Sequence, residues 1–273
     1  MNPFINQKNF FLIAGPCALE SEENAMYLAA KIKEITNTLG IKYCFKASWD
    51  KANRTSAIKY RGPGIEESIR IFKKIKEKID VCIATDIHEA WQAEKVAEVV
   101  DIIQIPAFLC RQTGLIEAAS KTGKVLNIKK AQFLSPEEMG NVISKCEYFG
   151  NKNLMLCERG TCFGYNNLVV DMTGLVRMKK LGYPVVFDAT HSVQISGGGE
   201  GYGNSGKREF VPYLARAAMA TGVLDGIFME VHDNPDQAKC DGSCMLHLDK
   251  LEPLLNQLLE IRAIQNKYSY GAI

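Results

Sequence analysis

Little net charge is left in this sequence: 33 Lys and Arg stand against 31 Asp and Glu, for a balance of +2. That is too small to imply a nucleic-acid or membrane partner, and no basic block is present. No apolar run is long enough to span a bilayer. The opening residues MNPFINQKNFF lack the charged start, apolar centre and small-residue cleavage site of a secretory signal. A cytoplasmic location is expected. Disulfides are not expected either, because the nine cysteines are odd in number and scattered through strand-like and helix-like segments. Most read as small core residues, Cys44, Cys82 and Cys157 among them. The 47% hydrophobic and 23% charged fractions exclude a disordered or fibrous chain.

What is present is a series of eight short apolar runs: FFLIAGPC, IKYCFKASW, VCIATDIH, IIQIPA, VLNIKK, LMLCERG, VVFDATH and GIFMEVH. Continuous apolar character of this length is how strands of a parallel sheet read when both faces are buried. Between them lie amphipathic stretches of helical length, such as SEENAMYLAAKIKEITNTLG, with a cap region at Ser21 to Asn24 and a stop at Gly40. The alternation predicts a single (β/α)8 barrel domain over residues 1–273, with an open doubly wound sheet as the alternative.

In such a barrel the active site is built where the strands end. Here the runs close on Cys17, Lys46, Asp86 with His88, Gln104, Lys129 with Lys130, Glu158 with Arg159, Asp188 with His191, and Glu230 with His232. Cys17, His191, Glu230 and Asp241 would supply mixed S, N and O ligands suited to Zn, Fe, Mn or Co. The alternative is a hydrogen-bonded His191 and a buried Cys17 with no metal. A rival pair, Cys240 with Cys244, to which His247 could be added, has no second thiol pair nearby. Lys46, Lys51, Arg54, Lys129, Lys130 and Arg159 would turn an excess of cations to the mouth, which favours a multiply anionic, phosphorylated substrate. Such lysines could also form a Schiff base with a carbonyl substrate. Gly201, Gly203 and Gly206 spell G-x-G-x-x-G, but too far past the seventh strand for a phosphate-binding turn. A near-Walker run ends in Arg208 where Ser or Thr would hold Mg2+. Residues 196–208 read instead as a glycine-rich lid.

The segments IAGPCALES, FKASWDKANRTS, YRGPG, TDIHE, IIQIPAFLCRQT, NIKKAQF, ERGTCFGYNNLVVDM, FDATHSVQ and AKCDG carry a resemblance across nearly the whole chain. It is to the 3-deoxy-D-manno-octulosonate 8-phosphate synthases, and KANRTS and the ERG-FGYNNLVVDM block are its most specific parts. The related heptulosonate 7-phosphate synthases are not expected to carry KANRTS in this form. The resemblance implies condensation of phosphoenolpyruvate with D-arabinose 5-phosphate and water, serving lipopolysaccharide synthesis. It implies that Lys51, Lys129, Gln132 and Arg159, with the backbone at Ala107 and Phe108, bind phosphoenolpyruvate. Lys46, Asn53 and Asp86 would orient the sugar, and Gln104 joins the substrate-binding set. Arg54 and Thr55 would hold the sugar phosphate, reaching in from a neighbouring subunit of a homotetramer. Lys51, Asn53, Lys129, His191 and Asp241 are the expected catalytic groups. Cys17, where metal-independent members carry Asn, implies the metal-dependent class with Cys17, His191, Glu230 and Asp241 as ligands, although AKCDG resembles the loop of metal-independent members. A binding barrel without catalysis is disfavoured, because all these groups are present together.

Overall fold

A computed structural model describes residues 4–5, 10–54, 56–195 and 205–268, with the side chain of Ser205 left aside. Eight parallel strands form the barrel: β1 (Phe11–Gly15), β2 (Lys42–Lys46), β3 (Cys82–Asp86), β4 (Ile102–Ile105), β5 (Val125–Lys129), β6 (Leu154–Glu158), β7 (Val185–Asp188) and β8 (Gly226–His232). Each pairs with the next, and β8 closes on β1 with Phe11 opposite Gly226 and Gly15 opposite Glu230. The closed ring settles the fold in favour of the barrel over the open sheet. Helices α1 (Glu22–Thr38), α2 (Ile65–Ile79), α3 (Gln92–Ala97), α4 (Thr113–Lys121), α5 (Met139–Tyr148), α6 (Met172–Lys179), α7 (Val211–Ala220) and α8 (Leu251–Lys267) follow the strands in turn.

Local chemistry sets the helix boundaries. Ser21 Oγ accepts the backbone N–H of Asn24 at 3.1 Å, as the cap region predicted, and two acids, Glu22 and Glu23, sit in the first turn where the helix dipole favours them. The chain leaves α1 through Gly40 at φ +66°, a left-handed turn that a side chain would oppose.

Side chains alternate along each strand, and the alternation divides the core in two. Leu12, Phe45, Ile83, Ile103, Leu126, Leu156, Phe187 and Met229 face outward into the layer between barrel and helices. Phe11, Ile13, Cys44, Ala84, Ile102, Val125, Met155, Cys157, Val186 and Phe228 fill the barrel interior. Phe4 is buried among them, edge-on to Phe11 with ring centroids 5.4 Å apart. All nine cysteines are free thiols, and Cys44 and Cys157 are interior packing as expected.

The same alternation places the site. Two residues beyond an apolar interior residue, the inward position becomes polar: Cys44 is followed by Lys46, Ala84 by Asp86, Ile102 by Gln104, Val186 by Asp188 and Phe228 by Glu230. These residues are buried, and with Lys129 and Arg159 they form a polar layer on top of an apolar plug.

Candidate active site

One cavity opens at the C-terminal ends of the strands, and Lys46, Lys51, Asn53, Arg54, Asp86, Gln104, Ala107, Phe108, Lys129, Gln132, Arg159, His191 and Asp241 all line it. The sequence-predicted substrate residues are therefore brought together, except Thr55, which lies outside the described residues. Cys17 and Glu230 are buried around it, at 0% and 1% exposure. Among the lining Lys, Arg, Asp and Glu, five are cations, Lys46, Lys51, Arg54, Lys129 and Arg159, and three are acids, Asp86, Asp188 and Asp241. Excess positive charge in a largely desolvated mouth is what a multiply charged anion requires.

Two sides of the cavity differ in chemistry. On the β5–β6 side Lys129 Nζ lies 2.5 Å from Asp188 Oδ2 and stands over the Phe228 ring, 3.3 Å from its centroid. Arg159 Nη2 donates to Gln194 Oε1 at 2.9 Å, while Nη1 is buried without a hydrogen-bond partner. Leaving a buried guanidinium donor unpaired costs free energy that a bound anion recovers. Burial is the main influence on Arg159 and draws its guanidinium pKa down.

On the β8–β1 side, acids and sulfur gather. His191 Nδ1 lies 2.8 Å from Asp188 Oδ2, and its Nε2 lies 3.4 Å from Glu230 Oε1. Both Glu230 carboxylate oxygens are buried without hydrogen bonds, with Lys51 Nζ 3.8 Å from Oε1. Donor atoms of His191, Glu230 and Asp241 lie within 4.8 Å of one another, as do those of Cys17, Cys240 and Asp241. The four ligands predicted from the sequence are thus divided between two groups that share Asp241, with Cys17 in one and His191 and Glu230 in the other. Burial works against the charge on Lys51, but Cys17, Glu230 and Cys240 outweigh it and raise its pKa well above the usual lysine value. Burial would likewise push Asp188 up, yet His191 and Lys129 hold it well below the usual carboxylate range.

Several expectations need correction. Lys130 does not face the mouth: one position on from Lys129 it points the other way, fully buried, donating to the carbonyls of Ala131 and Leu134 and lying 3.6 Å from Glu158. Glu158 in turn accepts the N–H groups of Arg159 and Gly160, so this pair braces the loops and lies outside the cavity lining. His232 is likewise outside the cavity lining, its Nδ1 accepting the N–H of Asn234. Arg54 lines the cavity of its own protomer, because the turn after β2 folds over its own mouth and the guanidinium reaches Cys240 Sγ and the Lys239 carbonyl. No neighbouring subunit is needed to bring it there.

Of the lid, residues 196–204 lie outside the described residues; Ser205–Gly206 pairs antiparallel with Gln194–Ile195. A Cβ on Gly206 would fall 2.1 Å from Cys244 Sγ, so this glycine serves close packing. Among the described residues Cys244 joins no metal-capable group, and His247 Nε2 contacts Arg208 Nη1 at 2.9 Å. The Cys240–Cys244 site is not formed. Asp188 and His88 were among the strand endings read from the sequence but were given no role there; Asp188 touches both Lys129 and His191, and His88 lines the cavity, as do Cys240 and Gln194, the last of which no strand ending marked.

Residues 5–266 match the family model described as the DAHP synthetase I family. A Fusobacterium nucleatum protein named 2-dehydro-3-deoxyphosphooctonate aldolase is 58% identical over 261 residues, covering 96% of this chain and 93% of that protein. Proteins of the same name from Cyanothece sp. and Pseudomonas putida are 56% and 55% identical, covering 93% and 94% of this chain and 92% and 90% of their own lengths.

Proposed function

The chain belongs to the DAHP synthetase I family, among its 2-dehydro-3-deoxyphosphooctonate aldolases, and from that premise we propose that it is a transferase condensing phosphoenolpyruvate with D-arabinose 5-phosphate and water. The products are 3-deoxy-D-manno-octulosonate 8-phosphate and inorganic phosphate, made for lipopolysaccharide. The observation in the site that carries this reading is the five-to-three excess of cations over acids in the cavity, with Arg159 Nη1 buried and unpaired.

In the reaction C3 of phosphoenolpyruvate forms a bond to the aldehyde carbon, water adds at C2, and phosphate leaves by C–O cleavage. The water oxygen becomes the C2 carbonyl oxygen and gives up both of its protons, one to the aldehyde oxygen and one to the departing phosphate. Lys129, Arg159, Gln132 and Lys51 bind and orient phosphoenolpyruvate, with the backbone at Ala107 and Phe108 against its phosphate. Lys46, Asn53, Asp86 and Gln104 orient the sugar, and Arg54 and Thr55 take its phosphate. Holding both reactants in one desolvated mouth replaces a bimolecular encounter and aims fixed charges at the phosphate that departs.

The chain belongs, on this reading, to the metal-dependent class, with Cys17, His191, Glu230 and Asp241 holding Zn, Fe, Mn or Co. Two buried Glu230 oxygens without hydrogen bonds beside a thiol and an imidazole fit such an ion. Burial, then the neighbouring Cys240, pushes the Cys17 thiol well up, and a coordinating cation is what makes such a thiol ionise. When bound, the ion supplies Lewis-acid polarisation of the aldehyde carbonyl. A single cytoplasmic catalytic domain assembled as a homotetramer completes the proposal; Arg54 no longer argues for the tetramer.

The test is phosphoenolpyruvate consumption with D-arabinose 5-phosphate beside D-erythrose 4-phosphate, before and after chelation. Turnover with the five-carbon sugar alone, lost on chelation and restored by Mn2+, Zn2+ or Co2+, is expected. Turnover with the four-carbon sugar would move the chain to the heptulosonate branch, and full activity in metal-free protein would refute the metal.

A further inference from the structure

The candidate metal centre contains a second sulfur. Cys240 Sγ lies 3.0 Å from Cys17 Sγ, well beyond the roughly 2.05 Å of a disulfide. Two sulfurs on one tetrahedral zinc, each about 2.3 Å from it, stand roughly 3.8 Å apart, so a modest separation would admit an ion between them. The Asp241 carboxylate is also there, 3.4 Å from Cys17 Sγ.

The loop after β8 is folded to make this possible. Neighbouring side chains on extended backbone point to opposite sides. Asp241, however, adopts φ +46°, and this kink brings the side chains of Cys240 and Asp241 to the same place. Gly242 follows because a Cβ there would fall 2.1 Å from the Pro235 carbonyl oxygen. Arg208 Nη2 donates to the Gly242 carbonyl at 2.6 Å and the Cys244 N–H to the Asp241 carbonyl at 2.9 Å, which pins the turn from outside.

Cys240 has charged neighbours as well as apolar ones. It shares an apolar cluster with Ala18 and Met245, yet it lines the cavity, and Arg54 Nη1 donates to its sulfur at 2.9 Å. Lys51, which lies 3.8 Å from Glu230, adds a second cation beside this cluster of acid-capable groups.

We infer that Cys240 is a further thiolate ligand of the centre, so that Cys17, Cys240 and Asp241, with His191 and Glu230, form a two-sulfur site selective for soft divalent ions such as Zn2+ and Cd2+. This rests on the metal reading above and adds to it a ligand and a selectivity. Two thiolates in place of one shift preference away from Mn2+, whose natural partners are carboxylate and water oxygens.

The experiment uses full-length protein stripped of metal under reducing, oxygen-free conditions. X-ray absorption of the zinc-loaded wild type counts sulfur directly and needs no variant: two scatterers per zinc are expected, and one would overturn the inference. Titration with Co2+ then compares wild type, Cys240→Ser and Cys17→Ser by the sulfur-to-cobalt charge-transfer band. Cys240→Ser should still bind cobalt, with the band reduced to that of a single thiolate, and should lose at least about tenfold of its preference for Cd2+ over Mn2+. An unchanged band in Cys240→Ser, with cobalt bound, would overturn the inference while leaving the metal reading intact. Failure of the wild type to take up any cobalt would instead remove the metal reading, and the inference with it.

Discussion

The floor and the mouth of the barrel are made by the same eight strands and have opposite chemistry. In the floor, Phe4, Phe11, Ile13, Ile102, Val125, Met155 and Val186 pack with the thiols of Cys44 and Cys157, and Cys82 lies against them. A step of two residues along a strand leads to Lys46, Asp86, Asp188 and Glu230, and a step of four from Val125 to Lys129, all buried almost as deeply. Burying apolar surface stabilises the fold by roughly 1.5–3 kcal/mol for each large side chain. Burying charge does the reverse unless it is paired, and replacing a buried pair by apolar groups is often neutral or stabilising. The difference teaches that stability and chemistry are separated by position on the strand: the plug holds the barrel, and the layer above it is kept for what it does.

The sharpest test of that division is the pair Lys129 and Asp188, 2.5 Å apart at the junction of the two halves of the site. Lys129→Met should lower turnover by about 10²–10³, the size of effect seen when a preorganised electrostatic group is removed. It should also destabilise the fold by about 3–5 kcal/mol, because Asp188 keeps its charge with one partner fewer. Adding Asp188→Asn should recover most of the stability in urea melts and none of the turnover. A double variant that stayed as unstable as the single one would mean that the pair supports the fold, and the division would fail.

Met155 probes the other layer. It is fully buried in the interior, and Met155→Ala should cost about 2–5 kcal/mol. The folded fraction should keep the KM of both substrates, since no cavity-lining residue changes. A shifted KM would show that the plug sets the geometry of the mouth as well as its height.

Much of this was legible in the sequence, for a physical reason. Strands buried on both faces must be apolar throughout, so the eight runs stand out, and their polar endings mark where the barrel opens. What the endings do not reveal by themselves is parity. Lys129 and Lys130 look alike as letters, but one faces the substrate cavity and the other braces Glu158, and only the inward register of Val125 distinguishes them. Nor does the sequence show contacts across the ring. Asp188 gains its importance when β5 and β7 are brought within reach of each other, and Cys240 meets Cys17, 223 positions away, while the nearby Cys244 that the spacing suggested turns into the core. The left-handed backbone at Asp241 left a trace in the Asp-Gly pair, a turn signal whose target no local pattern names.

The smallest expected effect is one of slope. Burial would raise the Asp86 carboxyl, but Lys46, then His88, overcomes it and holds the group well below the usual carboxylate range. A carboxylate with a depressed folded pKa contributes stability that is fully present above its unfolded value, about 3.9, and is lost as pH falls through the folded one. Wild-type stability should therefore decline between about pH 5 and about pH 2 in part through Asp86. Asp86→Asn, which has no such proton to take up, should show a shallower decline over the same range in urea melts, whatever its stability at neutral pH. Equal slopes would mean that Asp86 does not hold its charge in the folded mouth. The contrast with the floor would then rest on the Asp188 side of the ring alone.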